Sequence, residues 1–420
     1  MKILFVPYHS GIISHIIPLL SLNRKLQDSS IETAFLLPKG CHHLISHFDA
    51  NVLDIDHRGL STEMLAYKKF SPHVVVDDFS LSTAYATALT DVPRVTVQRM
   101  CMFPGFAPSN KSHHHSMGLS SNEDIKHFVD GTLLGLQRPE TLSDLFQAKI
   151  KIVPGIDLIE ALPTGMKKDP TYVYSGPLLL DDYLLRSDKS IESDGFEKYR
   201  ELDPIKKFFD AHKARKIVYI TMGVVETDHL ARAADVSSDL GGGGEAQRYF
   251  GVYDSDYFKT LESSAAQLHS CIKYLLDSGV AVITNIMVND LTQTQLALYY
   301  HGHYLPMHFI CFNIDLMIHQ CGSGTYHYPI IHNVPAITVG TRCYDREDIA
   351  IRLHELGASA HLSAPGESVD FVSQFKKAVQ ILFDEGKILR QKEVLRHLKA
   401  KVDEVSSSFN FEHILQQASR

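Results

Sequence analysis

The sequence predicts an α/β protein made of two doubly wound, Rossmann-like domains. Three observations carry that prediction. Short Val/Ile-rich runs alternate with amphipathic stretches along nearly the whole chain; they form two series divided by a polar stretch; and 420 residues, at ~150 per domain, make two or three domains. Apolar runs of about five residues between helical segments suit a parallel sheet covered on both faces, because neither face of such a strand meets water.

In the first series, strands are expected at 3–7 (ILFVP), 32–37, 73–77 (HVVVD), 94–98 and 149–153, with helices near 16–27, 62–69 and 80–90. In the second, strands are expected at 216–221 (KIVYIT), 279–284, 315–319 (DLMIH) and 335–339, with helices near 256–277, 325–332 and 346–356. The boundary falls in 177–205, where Pro177 leads into the polar stretch Arg186–Gly195. The division is therefore an N-terminal domain over 1–185, a C-terminal domain over 206–395 and an amphipathic helical tail over 396–420, a candidate to pack back on the first domain. Residues 103–124, with Pro104, Pro108 and His113–His115, read as a long loop, and 226–251, with Gly241–Gly244, as a flexible insertion.

Composition removes several classes. At 44% hydrophobic and 21% charged, the chain is neither collagen-like, coiled-coil nor largely disordered. A net charge of -8 without a long basic run argues against nucleic-acid binding. No apolar run approaches the ~20 residues of a membrane-spanning helix. The opening run Ile3–Pro7 is too short for a signal peptide and reads as a buried strand, so no targeting is expected. Cys41, Cys101, Cys271, Cys311, Cys321 and Cys343 are scattered, without the spacing of a zinc site or a disulfide framework, which fits a reducing cytoplasm. Histidines number 24, so no single one is informative by itself.

Four constellations stand at expected strand ends. In a doubly wound fold, loops at the carboxyl ends of strands face the ligand crevice. Gly11-Ile-Ile-Ser-His15-Ile-Ile-Pro18 follows the first strand; His15 reads either as a structural helix-start residue or as a general base for a hydroxyl. Asp77 and Asp78 end the third strand; Asp77 is the expected partner of His15, and one of the two aspartates can cap the next helix. His319-Gln320-Cys321-Gly322-Ser323-Gly324-Thr325 lies between a strand and a helix, where glycines admit a ligand close to the backbone and N–H groups meet a phosphate. A plain strand-to-helix turn accounts for the same residues. Asp345-Arg346-Glu347-Asp348 opens another helix; its acids either favour the helix dipole or accept sugar hydroxyls. Cys321 reads as a small packed residue rather than a nucleophile, since no base is paired with it.

In this order and spacing the motifs resemble the UDP-glycosyltransferase superfamily, inverting enzymes of the GT-B fold that use nucleotide sugars. The resemblance runs through 2–27, 152–163, 172–178, 216–224 and 319–359, nearly the whole chain. It implies two domains facing across a cleft, with acceptor bound by the first and donor by the second. Carried over residue by residue, it makes His15 and Asp77 the catalytic base and its partner, Gly322, Gly324 and Thr325 the diphosphate loop with Ser323 between them, and Asp345 the sugar-contacting acid. The chain departs from the family at Gln320, Met307, Tyr328 and Arg346, all donor-side positions, and at Val224. Met100, Phe103 and Phe106 are the expected acceptor contacts, for a partly apolar small molecule such as a natural product. The implied reaction is direct displacement at the anomeric carbon, with the nucleotide sugar as co-substrate and neither metal nor cofactor. Two other readings stand beside it: a non-catalytic glycosyltransferase-like partner protein that activates another enzyme, and a nucleotide-sugar epimerase-like enzyme.

Overall fold

A computed structural model describes residues 1–8, 13–27, 29–45, 48, 50–104, 145–180, 202–222, 255–302, 305–341, 344–365 and 370–420. Among these residues lie two parallel six-stranded sheets. The first holds β1 (Lys2–Pro7), β2 (Glu32–Phe35), β3 (Val74–Asp78), β4 (Arg94–Val97), β5 (Ile150–Val153) and β6 (Tyr172–Tyr174), in the order β2-β1-β3-β4-β5-β6. The second holds β7 (Ile217–Thr221), β8 (Ala281–Thr284), β9 (Tyr299–His301), β10 (Leu316–His319), β11 (Ala336–Val339) and β12 (Ala360–Leu362), in the order β12-β11-β10-β7-β8-β9. This is the expected α/β class with two doubly wound sheets.

The interior strands follow from their composition. Every residue of β3, β4, β7, β8, β10 and β11 is buried, as a strand with helices on both faces demands. Side chains alternate between the faces. In β7, Val218 and Ile220 join Ile272, Leu275, Phe371 and Phe375 on one side, while Ile217 and Tyr219 join Ile205, Phe209 and Ile310 on the other. The reading of short apolar runs found these strands but missed β6, β9 and β12, each three residues long and at or near a sheet edge. Such strands bury too little to carry an apolar run. It also missed the helices Leu202–His212 and Phe371–Leu382.

One compact unit carries the first sheet and takes back the chain end Val402–Arg420; the other carries the second sheet as far as Lys401. The change of unit falls inside the long helix Glu385–Ser408. The last helix, Phe411–Ser419, is opened by Asn410, whose side chain accepts the His413 N–H at 2.9 Å. Its Phe411 is buried with its ring 6.4 Å from that of Phe5 in β1. The expected loop and insertion at 103–124 and 226–251 lie largely or wholly outside the described residues, as do His113–His115 and Val224. No helix among the described residues is long and apolar enough to cross a membrane.

The strand order places the crevices. In the first sheet the chain winds outward from β1 to β2, then returns to β3 on the other side of β1; in the second it winds from β7 through β8 to β9, then returns to β10 on the other side of β7. Adjacent loops at such reversals leave in opposite directions and open a hollow at the strands' carboxyl ends. The residues after β1 and β3, and those after β7 and β10, therefore stand at these hollows.

Beneath the first of these edges lies a buried polar cluster. Glu63, on the helix Leu60–Phe70, is fully buried and accepts hydrogen bonds from the Tyr67 hydroxyl (3.0 Å) and the Ser82 hydroxyl (2.5 Å). Burial pushes its carboxyl up to about 7, against the opposing effect of those donors. A carboxyl whose native pKa is raised adds stability below its unfolded value, and that stability is lost as pH rises through about 7. Thermal melts at pH 5 and pH 8 should therefore bring Glu63→Gln level with or above wild type at the higher pH, relative to its rank at the lower. Each kcal/mol moves the midpoint by about 2–4 °C in a unit of this size. A wild-type to variant difference that does not change with pH would place the Glu63 carboxyl at its ordinary value.

Candidate active site

His15 lies on the helix Ile13–Arg24 that follows β1. Its Nδ1 is 2.7 Å from Oδ1 of Asp78, the last residue of β3, with His15 partly exposed and Asp78 fully buried. The expected partner was Asp77. The structure instead gives Asp77 to Arg94, whose Nε and Nη2 donate to Oδ1 and Oδ2 at 2.8 and 2.9 Å. The reason is the period of two along a strand. Asp77 and Asp78 point to opposite faces of the sheet, so only one of them can meet a side chain on the helix Ile13–Arg24. Asp77 also accepts the Ser80 N–H at 3.2 Å, which holds the turn before the helix Leu81–Thr90; the N-cap of that helix is Ser80, so neither aspartate takes the capping position expected of one of them.

Asp78 has a second partner that the sequence reading did not single out. Arg99 donates from Nη1 to Oδ1 at 2.5 Å and from Nη2 to Oδ2 at 2.9 Å, a bidentate pair, and reaches the Ser14 carbonyl at 3.4 Å. Burial alone would raise the Asp78 carboxyl, but the charges and hydrogen bonds of Arg99 and His15 outweigh it and hold the carboxyl below its usual range. For Asp77 the balance falls the other way: burial outweighs Arg94 and the carboxyl is raised. Arg94 also donates to the Leu145 carbonyl at 2.6 Å, tying the strand end to the segment that leads to β5.

Rings surround His15. Tyr8 and Phe79 each hold a ring centroid 5.5 Å from the imidazole, and Phe79 lies 5.0 Å from Phe146. Phe79 has φ 60°, a left-handed conformation unusual for a bulky residue. It turns the chain sharply after Asp78 while its ring stays buried. Met100 and Phe103, expected as acceptor contacts, are both buried, and Phe103 packs edge-on against Tyr172 at 5.6 Å. They belong to the packing behind this edge rather than to a surface that solvent reaches. Phe106 and Gly11 lie outside the described residues.

The second edge begins at His319, the buried last residue of β10. Burial drives its imidazole down to about 3, so it is neutral, and its Nδ1 accepts the Cys321 N–H at 3.1 Å. That bond folds the chain back at Cys321, which has φ 57° and is itself buried, as a packed cysteine should be. The turn that follows is tighter than a helix start. The N–H groups of Thr325 and Tyr326 donate to the Gly322 carbonyl at 2.8 and 3.3 Å, and the helix proper is His327–His332. The helix was expected to open by Gly324 and to offer its first amides to a ligand. Those of 325–328 are instead used within the turn, which leaves the amides before Thr325 for a ligand. A Cβ at Gly322 would lie 3.3 Å from Thr325 Oγ1, a close approach from which the Thr325 side chain would have to yield by a few tenths of an ångström.

The remaining donor-side residues divide. Gly322 to Thr325 are half-buried together on this turn. Gln320 is buried, and Tyr328 packs its ring against His308 at 4.8 Å. Asp345 and Arg346 stand in the first turn of the helix Tyr344–Glu355, after β11, which pairs with β10. The side chain of Asp345 lies outside the described residues. Glu347, read only as one of the first-turn acids, and His361, which the sequence reading did not single out, hold this edge. Glu347 accepts the Thr341 N–H at Oε2 (2.9 Å) and meets His361 Nε2 at Oε1 (2.9 Å). A Cβ on Gly340 would lie 2.6 Å from the Ala364 nitrogen and 2.9 Å from Glu347 Oε2, so the backbone there passes too closely for any side chain. Among the described residues, no group of three or more His, Cys, Asp or Glu side chains is gathered as a metal site would need.

No family model matches the sequence, and no curated protein does. Solved structures do. A UDP-glucosyltransferase from Polygonum tinctorium, described as capable of glucosylating indoxyl, superposes with TM-score 0.65 at 12% identity over 100% of this chain and 98% of that one. The glycosyltransferase VinC, in complex with dTDP, gives 0.61 at 14% identity over 100% and 99%. The fold is the GT-B fold. The spinosyn rhamnosyltransferase SpnG, complexed with thymidine diphosphate, gives 0.60 at 14% identity over 96% of both chains. These GT-B likenesses run through both sheets, and at such identities they are likenesses of fold.

The Glu347–His361 pair can be tested by stability alone. Glu347→Gln keeps an oxygen for the Thr341 N–H and removes the carboxylate that meets His361; His361→Gln removes the imidazole from the other side of the same contact. In urea unfolding each should cost about 1–3 kcal/mol. The double variant should cost less than the sum, with a coupling of about 0.5–3 kcal/mol. Strict additivity would show that the two side chains do not act together.

Proposed function

We propose that this protein transfers a sugar from a nucleoside-diphosphate sugar to a hydroxyl of a small, partly apolar acceptor, with inversion. The observation that carries the proposal is the 2.7 Å contact between His15 Nδ1 and a buried, ionised Asp78 at the carboxyl edge of the first sheet. It has the arrangement of a general base with its orienting acid. The Gly322–Thr325 turn at the matching edge of the second sheet supports the donor half, as does the GT-B likeness to proteins described with UDP or thymidine diphosphate.

In the proposed reaction His15 Nε2 takes the acceptor's hydroxyl proton as the oxygen attacks the anomeric carbon. The bond from that carbon to the diphosphate breaks on the opposite side, which inverts the centre. His15 becomes an imidazolium, and Asp78 offsets the charge it gains. The leaving diphosphate is met by the amides of Gly322, Ser323 and Gly324 and by the Thr325 hydroxyl, dipoles set in place before the charge develops. In this reading Asp345 and Arg346, in the helix that follows the neighbouring strand, contact the sugar. The acceptor class, a natural product, rests on the glycosyltransferases of this fold that act on such molecules.

Separating chemistry from binding tests the proposal. His15→Ala should lower kcat by ~10²–10⁴-fold while nucleoside-diphosphate affinity, measured by calorimetry, stays at the wild-type value. Thr325→Val should weaken that affinity by about 1–3 kcal/mol. A fully active His15→Ala protein would return His15 to a structural role. Wild-type protein that binds neither UDP nor dTDP would move the case to a non-catalytic partner protein.

A further inference from the structure

We infer that Arg99 is the positioning residue that selects the tautomer of His15 and offsets the pull of Asp78 on a second imidazole proton. The inference rests on the proposed role of His15 as base. It starts from the donor inventory around Asp78. A guanidinium only donates, and here it occupies both carboxylate oxygens, Nη1 on Oδ1 and Nη2 on Oδ2. Both lone-pair sets of Asp78 are thus accepting, and the carboxylate carries no proton. The hydrogen shared between Asp78 Oδ1 and His15 must then belong to His15 Nδ1, and Nε2 keeps the lone pair. Arg99 fixes the ring's neighbourhood as well, since Nη2 reaches the carbonyl of Ser14, the residue before His15.

Charge completes the argument. A histidine against a lone buried carboxylate holds a second proton more tightly and is a poorer base at a given pH. Arg99 already balances Asp78, so His15 faces a pair of no net charge. The other groups nearby are paired elsewhere or lie further off. Asp77 is balanced by Arg94, and Tyr8 and Phe79 meet His15 with their rings. Glu160 and Cys101 act on Arg99 from its other neighbours and favour its charged form. Arg99 is buried, so solvent screens none of this appreciably.

The test reads His15 directly and through turnover. In protein labelled with ¹⁵N-histidine, the His15 signal is assigned by its loss in His15→Gln. Wild type should show the Nδ1–H tautomer at neutral pH. Arg99→Gln should raise the titration midpoint of His15 by about 1 pH unit or more, the size of shift an adjacent charge produces. The acid limb of the kcat/KM profile should move up by the same amount, with activity recovered at higher pH. Arg99→Lys, which keeps the charge, should bring the limb back. A merely structural Arg99 would lower activity at every pH and leave the limb in place, which would overturn the inference. So would an Nε2–H tautomer in the wild type, a result that needs no variant to fold. If the wild type transfers no sugar, the proposed function fails, while the NMR titration still judges Arg99.

Discussion

Two carboxylates sit buried and adjacent at the end of β3, and each needs its own counter-charge. An uncompensated carboxylate inside a protein costs several kcal/mol, and two side by side repel one another as well. The strand's alternation separates Asp77 and Asp78 onto opposite faces, where Arg94 and Arg99 each form a bidentate pair. Much of the first unit's polar interior is arranged around that division. On one face Arg94 ties Asp77 to the Leu145–Gln147 segment and the Ser80 turn. On the other, Arg99 and His15 share Asp78, and Arg99 touches the backbone beside His15.

The placement of both edges follows from the winding of the sheets. Parallel strands buried on both faces leave no room for functional polar groups along their length. Such groups gather where the strands end and the connections diverge. In the first unit this gives His15 and Asp78 after β1 and β3, and in the second the 319–325 turn after β10. The second edge is built mainly from backbone. His319 is neutral and buried and uses one nitrogen to fold the turn, while Gly340 lets β11 pass close to Ala364 so that Glu347 can hold Thr341.

The site was partly legible. His15 stood out because it follows the first strand of a doubly wound domain, where loops face the crevice, although a structural role there was equally open. The Gly322–Thr325 stretch stood out because two glycines between a strand and a helix let a ligand approach the backbone, although a plain turn uses the same residues. Asp78 was hidden beside Asp77, since either can end the strand and nothing local says which face the helix after β1 covers. Arg99 carried no signal at all: it lies 84 residues beyond His15 and 21 beyond Asp78, and only the pairing of β3 with β4 brings it near. Glu347 read as one more acid in a first helical turn, and His361 lies in an edge strand too short to be recognised.

What the amino-acid sequence determined by itself was the class of fold, its two series of strands and the polar and glycine-bearing residues at the strand ends. Those depend on local composition: runs of β-branched residues, glycine where backbone must turn or pass closely, polar residues where a run ends. The tertiary structure decided which side chains meet. Asp78 rather than Asp77 faces His15, Arg99 completes that pair, Gln320 and Phe103 turn inward, and the helix after the glycines begins at His327 with its first amides already used. Each of these depends on the face to which a side chain points and on which strand lies beside it. Both are set by packing between segments far apart in the chain, which no stretch of sequence encodes alone.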